Sequence, residues 1–280
     1  MSSVSQISTK LIAELRARTG AGMMDCKKAL EETGGDLDKA VDWLRQKGQA
    51  KGEKRAGREA GEGAVAAHIT ADGKAAGIVE LNSETDFVAR NPEFQALAQD
   101  LAREVAEHGD VRSAARVKEL AGKTGEHVAV RRSQRLPLGG PGFIESYVHF
   151  NGQVGVLIDV GSPAGAVARP DVRAIAKDIT LHIASTKPIA VSVAEVPADV
   201  VERERRIYEA QVAEQGKPEA IRPKIVEGML RKFYEERVLL EQPFVKDDKV
   251  KIRDLLKRAG AAAEGEVTVR RLVCYEVGGA

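Results

Sequence analysis

A chain of 280 residues is long enough to bury a sizeable core and, by size, to divide into roughly two domains. Its 43 basic and 42 acidic residues leave a formal net charge of +1, which excludes the strong basic excess of a phosphate-tracking surface while leaving a local basic patch open. The two cysteines, Cys26 and Cys274, stand far apart and form neither a CxxC motif nor a disulfide framework, so a reducing cytosol is the expected compartment. The first ten residues lack the basic start and apolar core of a signal peptide, and no window approaches the ~18 apolar residues of a membrane span. The expectation is a soluble cytoplasmic protein.

The chain opens with apolar residues at helical spacing: Leu11, Ile12 and Leu15, then Met24, Ala29 and Leu30, then Leu37, Ala40, Val41 and Leu44. Thr19-Gly20-Ala21-Gly22 separates the first helix from the second, and Thr33-Gly34-Gly35, with Asp36 as N-cap, separates the second from the third. Three short helices within residues 1–48 make a compact module of the size used for docking rather than catalysis. Helical phase turns Met24 inward as core filler and Met23 outward as an adaptable contact. Residues 49–63 are charged, glycine-rich and aperiodic, and read as a linker or a frayed helix. Lys51, Lys54, Arg55 and Arg58 alternate there with glutamates, so a solvated face is expected rather than an RNA contact.

Beyond the linker the chain repeats itself at a spacing of 78 to 79 residues. The run D-G-K-A-A-G-I-V-E-L at 72–81 matches N-G-Q-V-G-V-L-I-D-V at 151–160, each a turn followed by an apolar strand. Strands are also expected before each turn, over 64–70 and 143–150, so each unit opens with a hairpin closed by Asp-Gly or Asn-Gly. Helices follow, with F-Q-A-L-A-Q-D-L from Phe94 matching V-R-A-I-A-K-D-I from Val172.

The connection from strand to helix in the first copy is Ser83-Glu84-Thr85-Asp86-Phe87-Val88-Ala89-Arg90, and the next helix is announced by Asn91 as N-cap and Pro92 at its first position. Phe87 either tucks back under that helix as a staple, with Asp86 capping a turn, or faces a partner. The second copy decides the preference. It keeps Ser162 and Val167-Ala168-Arg169 but replaces Thr-Asp-Phe by Ala164-Gly165-Ala166. If folding the unit required the aromatic, the second copy should want one too, so the comparison favours a functional Phe87.

Residues 111–130 read as a short helix and connection. Gly122-Lys123-Thr124 has the ending of a phosphate-binding loop, but Val117 stands where that loop needs its first glycine, so nucleotide binding is rejected. From 197 to 242 two charged helices turn at Gly216-Lys217-Pro218, with Ile221, Ile225, Met229 and Phe233 as a stripe on the second. A protruding antiparallel hairpin fits, its stripe either buried by the body of the protein or shared with another subunit. Gln242-Pro243-Phe244 opens a loop, 250–259 makes a short helix, and 266–277 alternates as a closing strand of the second sheet.

Three motifs together carry a family resemblance: T-G-A-G-M-M-D-C-K-K-A-L at 19–30, Thr85-Asp86-Phe87-Val88, and Gly216-Lys217-Pro218 with Gln242-Pro243-Phe244-Val245. The chain resembles bacterial elongation factor Ts from its first helix to its last strand. The resemblance implies an α+β fold: an N-terminal three-helix, ubiquitin-associated-like docking domain over 1–48, a linker over 49–63, and a core of two repeated α+β subdomains. These occupy 64–140 and 141–280, the second containing the helical hairpin 197–242, used in dimerisation. It also implies a guanine nucleotide exchange factor that binds elongation factor Tu in its GDP form, disturbs the Mg²⁺ site and promotes GDP release so that GTP can bind. Such a factor is not an enzyme and needs no cofactor.

By the same resemblance Thr85, Asp86, Phe87 and Val88 dislodge the partner's Mg²⁺, with Phe87 as wedge, while Arg16, Met23, Met24 and His149 make further contacts. For His149 the plainer reading, a satisfied strand-end histidine, stays open. Two departures stand out. Thr124 occupies a position where some relatives carry an aliphatic residue against the partner, and the chain stops soon after its last strand, where some relatives append a helical module; dependence on that module is expected to be absent. The competing classes are an RNA-binding adaptor and an enzyme. Near-neutral charge and the lack of base-stacking motifs count against the first, and the lack of a catalytic constellation against the second, so no direct nucleic-acid or membrane partner is expected.

Overall fold

The computed structural model describes residues 7–55 and 58–279; residues 1–6, 56, 57 and 280, which include the chain start read above, lie outside it. Helices α1 (Thr9–Thr19), α2 (Met23–Glu32) and α3 (Leu37–Arg55) come first. Ser8 caps α1 by accepting the Leu11 N–H, Gly20 ends it in the left-handed conformation, and Asp36 caps α3 by accepting from Asp38 and Lys39. The three close around Leu15, Cys26, Ala29, Leu30 and Ala40.

One reading narrows here and one changes. Of the linker and frayed-helix readings of 49–63, the helix holds over the first part, since α3 continues through Arg55; the side chains of Lys51, Lys54 and Arg55 lie outside the described residues, and Arg58 pairs with Glu84 at 3.2 Å. Met24 is not core filler but 75% exposed. The buried face of α2 is set by Cys26, Ala29 and Leu30, spaced three and four apart, and Met24 falls off that stripe.

Strands β1 (Glu62–Ile69), β2 (Ala75–Ser83) and β3 (Ala129–Pro137) form one antiparallel sheet in that order. Strands β4 (Gly142–Val148), β5 (Val154–Gly161) and β8 (Thr268–Glu276) form the second. Side chains alternate across the first sheet. Ala64, Ala66, Val79 and Leu81 pack under helices α5 (Pro92–His108) and α6 (Ala114–Thr124), whereas Val65, Ala76, Ile78 and Leu136 meet Ile144, Leu157, Val273 and Tyr275 of the second sheet. The second sheet carries α7 (Pro170–Thr186) and α10 (Ile252–Ala262) on its outer face. The order is helix, sheet, sheet, helix, and β2, in the middle, is buried on both faces.

The repeat is larger than the hairpin and helix visible in sequence. Strand β3, which was not expected, is the counterpart of β8, and both reach the central strand at a β-bulge. Register slips between Glu80 and Leu81 in one sheet and between Asp159 and Val160 in the other. At each bulge a fully buried carboxylate meets two consecutive arginines: Glu80 with Arg131 at 3.4 Å and Arg132 at 2.7 Å, Asp159 with Arg270 at 2.6 Å and Arg271 at 2.8 Å. A buried charge left unpaired costs several kcal/mol, and the extra residue of a bulge is what turns two neighbouring side chains to one acceptor. Burial pushes the Asp159 carboxyl up, and the bonds from Arg270 and Arg271 outweigh it, holding the group below the usual carboxylate range. Gly63 and Gly142, also counterparts, take φ of 158° and 142° where a Cβ would lie 2.3 Å from the Leu81 carbonyl oxygen and 1.9 Å from that of Val160.

Helices α8 (Ala198–Glu214) and α9 (Arg222–Arg237) form the expected hairpin. Their shared face is shifted from the expected stripe: Val226, Leu230 and Phe233 are buried, Ile225 and Met229 half-buried, and Ile221 exposed. Val212 of α8 packs on Val226 and Leu230, so the stripe serves the hairpin itself, and Phe233 joins Ala190, Val196 and Val238 at its base. Where a loop was expected, β6 (Pro243–Phe244) pairs with β7 (Asp247–Lys251).

A buried polar network pins this insertion to α7. Gln242 accepts from His182 Nε2 at 2.9 Å and donates to the Glu236 carbonyl at 2.7 Å, while His182 Nδ1 accepts the Val245 N–H at 3.3 Å. These partners require the neutral, Nε2-protonated ring, and burial lowers the His182 pKa from its ordinary 6.5. Because the unfolded chain binds this proton more readily, the stabilisation is present above about pH 6.5 and is lost as pH falls through the lower folded value. Urea midpoints should therefore fall between pH 7.5 and pH 5.5 more steeply in the wild type than in a His182→Gln variant; equal slopes would show that His182 is not the group responsible.

Candidate functional site

The four residues of the Thr85–Val88 motif are separated by their surroundings. Asp86–Ala89 coil into a single short helix, α4, with Thr85 as its N-cap. Thr85 is clamped: its N–H donates to Glu126 Oε2 at 3.0 Å and its hydroxyl to Oε1 at 2.6 Å, while its carbonyl accepts from Ser83 Oγ at 3.0 Å. Val88 leans on the first core and Ala89 is buried in it. Asp86 pairs with Arg90 at 3.0 Å across one helical turn. Phe87 is left 83% exposed. It is no staple; the half-buried Val88 takes that place. In the second copy the aligned Ala166 is buried, in a 3₁₀ turn over Ala164–Ala166.

The neighbouring loops hold this turn in place. Glu84 accepts the His127 N–H at 2.6 Å, and Lys123, at the end of α6, pairs with Glu93 of α5 at 2.6 Å. Thr124 spends its hydroxyl on the Leu120 carbonyl at 2.9 Å. The three-helix unit approaches on the other side of α6 across a cleft of about 500 Å³, where Gly22, Asp25 and Trp43 face Glu119, Gly122 and Lys123. Met23, 60% exposed, follows Gly22 directly, and Met24 and Arg16 are exposed on the same unit.

The second sheet reaches the Phe87 turn as well. The β4–β5 turn is tied to the start of β1 by the Val65 N–H on the Gly152 carbonyl at 2.7 Å and by the Gln153 amide on the Gly63 carbonyl at 3.3 Å. Gly152 also abuts Gln95, a Cβ there falling 4.0 Å from its amide, and Gln95 Nε2 donates to the Ala89 carbonyl of α4 at 2.6 Å. His149, on this turn, is half-buried with Nδ1 2.7 Å from the Tyr147 hydroxyl. Beside it stands Phe150, 92% exposed, which sequence reasoning passed over although the repeat pairs it with Ala71. One edge thus displays Phe87, Phe150 and His149. Among the described residues no group of His, Cys, Asp and Glu could hold a metal ion, and no helix is long and apolar enough to cross a membrane.

Comparison with known proteins gives this edge a context. The family model described as "Elongation factor TS" matches residues 84–279, and one described as "Elongation factor Ts, mitochondrial, N-terminal" matches residues 1–54. The chain belongs to the elongation factor Ts family. It is 44% identical over 275 residues to the elongation factor Ts of Nitratidesulfovibrio vulgaris (strain DP4), covering 97% of this chain and 96% of that protein. Identity is 46% over 284 residues with that of Symbiobacterium thermophilum, at 98% and 93% coverage, and 40% over 294 residues with that of Aquifex aeolicus, at 98% of both. Membership places it among the translation elongation factors, and the mixed helix-and-sheet architecture accords with the family.

The division of the motif into one displayed ring and its supports is open to a stability test. Glu126→Ala leaves the half-buried Thr85 N–H and hydroxyl without their charged acceptor and should cost roughly 1–3 kcal/mol. Phe87→Ala, at an exposed site, should change stability by less than about 0.5 kcal/mol. Urea unfolding of the two variants checks this; comparable losses from both would mean that Phe87 is a packing residue.

Proposed function

We propose that this elongation factor is a guanine nucleotide exchange factor for elongation factor Tu, working in the cytoplasm on the GDP-bound partner. The observation that supports it above others is a phenylalanine held in water on a helix whose every neighbour is engaged. Leaving a large aromatic exposed forgoes burial that folding could have used, and a rigid mount means little freedom is lost when a partner covers it.

A P-loop GTPase holds its nucleotide through backbone amides and a lysine around the phosphates and through Mg²⁺ bridging phosphate oxygens to a loop hydroxyl. Removing that ion takes a large positive charge from a site crowded with negative oxygens, so nucleotide leaves faster. In this proposal Phe87 enters between partner helices that brace the metal site. Asp86, steadied by Arg90, lies beside the wedge, and Thr85 and Val88 anchor it. Arg16, Met23 and Met24 of the three-helix unit and His149 of the β4–β5 turn supply further contacts. No substrate changes covalently. Coupling is reciprocal, so a factor that weakens GDP binding is itself weakened by GDP to the same degree.

Burying one Phe contributes about 1.5–3 kcal/mol, or roughly ten- to a hundredfold in rate when expressed wholly in the open state. Release of fluorescent GDP from elongation factor Tu should accelerate with the wild-type protein, fall at least tenfold with Phe87→Ala, by that estimate, and be opposed by excess Mg²⁺. Acceleration unaffected by the substitution would remove Phe87 from the mechanism; no acceleration at all would overturn the exchange function.

A further inference from the structure

Phe150 is more exposed than any other large apolar side chain among the described residues, at 92%. The first repeat folds the same turn without it. The His149 carbonyl accepts the Gly152 N–H at 2.7 Å with Gly152 at φ 71°, and the Thr70 carbonyl accepts the Gly73 N–H at 2.8 Å with Gly73 at φ 68°. Where the second turn has Phe150 the first has Ala71. An aromatic is therefore not required to close this turn. The two repeats are complementary: Phe87 is answered by Ala166 and Phe150 by Ala71, so each copy carries one exposed ring, on a different turn.

Topology then brings those two different turns to one edge, through the contacts of Gly152 with Val65 and Gln95 and of Gln95 with the helix that carries Phe87. Ala71 sits at the opposite end of β1. The Phe150 ring rests against His149, with centroids 4.5 Å apart and planes at 51°, and the Tyr147 hydroxyl at 2.7 Å fixes the imidazole in turn. The ring is mounted, not loose.

We propose that Phe150 is a second hydrophobic anchor for the GTPase, seated in a recess of the partner separate from the one that Phe87 enters; this rests on the exchange function proposed above. The continuity of the edge names the occupant, since a partner covering Phe87 and His149 meets Phe150 next. A preorganised ring on the second sheet, apart from the wedge, favours association whether or not nucleotide is present. Such uniform binding lowers the factor concentration needed for half-maximal exchange and leaves the maximal rate alone.

The test is GDP release from elongation factor Tu titrated with wild type, Phe150→Ala, Phe150→Leu and Ala71→Phe. Phe150→Ala should raise the half-maximal concentration roughly tenfold, with the maximal rate kept within about twofold. Phe150→Leu should recover most of the loss, Ala71→Phe should have no effect, and melting temperatures should be unchanged. An unaltered half-maximal concentration in Phe150→Ala, with wild type accelerating release, overturns the anchor and leaves the exchange function standing. A lowered maximal rate at unchanged half-maximal concentration overturns it too, making Phe150 part of the wedge. If wild type itself fails to accelerate release, the exchange function falls and the anchor with it.

Discussion

Four residues make one helical turn, and on one turn neighbouring side chains must part. In α4 that constraint sends Val88 and Ala89 to the core and Phe87 to water. The partition cannot be reversed by rotating the turn, because Thr85 is gripped on its N–H and hydroxyl by one carboxylate, Glu126, from the loop after α6. An exposed Phe on a loose loop would lose its burial gain to ordering entropy; one held at both ends keeps it. The exchange function proposed for this protein relies on that mount.

The mount is stiff because of the duplicated frame beneath it. Each sheet is locked at its bulge by a buried carboxylate between tandem arginines, and the frame also joins the two sheets. Arg132 donates to the Glu276 carbonyl at 2.9 Å and lies 4.3 Å over the Tyr275 ring, while Glu80 accepts the Gly278 N–H at 2.9 Å. Removing one partner from such a cluster leaves a stranded charge, so each is costly to break although none is a large net source of stability. The loops play matching parts as well. Glu126, between α6 and β3, braces the Phe87 turn, and Gly265, between α10 and β8, lies so close to Pro163 that a Cβ there would approach its ring to 2.4 Å.

Much of this was legible from residues alone. Asn91 and Pro92 announce α5, and the Asn91 side chain accepts the Glu93 N–H as an N-cap should. The repeat was visible wherever apolar runs aligned. Strand β3 escaped because Arg131, Arg132, Ser133, Gln134 and Arg135 show no alternation on an edge strand, and the carboxylate that explains two of those arginines is Glu80, far back in the chain. Met24 and the α9 stripe failed for another reason: apolar residues with helical spacing on a short amphipathic segment admit two phases one residue apart, and tertiary packing selects between them. Phe150 precedes an Asn-Gly pair that already accounts for the turn as a hairpin closure, so the aromatic carries no periodic or motif signal beyond its mismatch with Ala71 in the repeat.

The proposed exchange function requires the side chain at 87, which stands in water in the free protein, to lie inside the partner in the nucleotide-free complex. Trp43 is the one tryptophan of this chain, so a Phe87→Trp substitution in a Trp43→Phe background, read as the difference from the Trp43→Phe protein under the same conditions, reports from that position. Its emission should be red-shifted in the free protein, shift to the blue when nucleotide-free elongation factor Tu is added, and return when GDP and Mg²⁺ dissociate the pair. Emission that stays red-shifted in a complex shown by sedimentation to have formed would rule out Phe87 as the wedge, because the ring would then remain in water while the exchange complex stands.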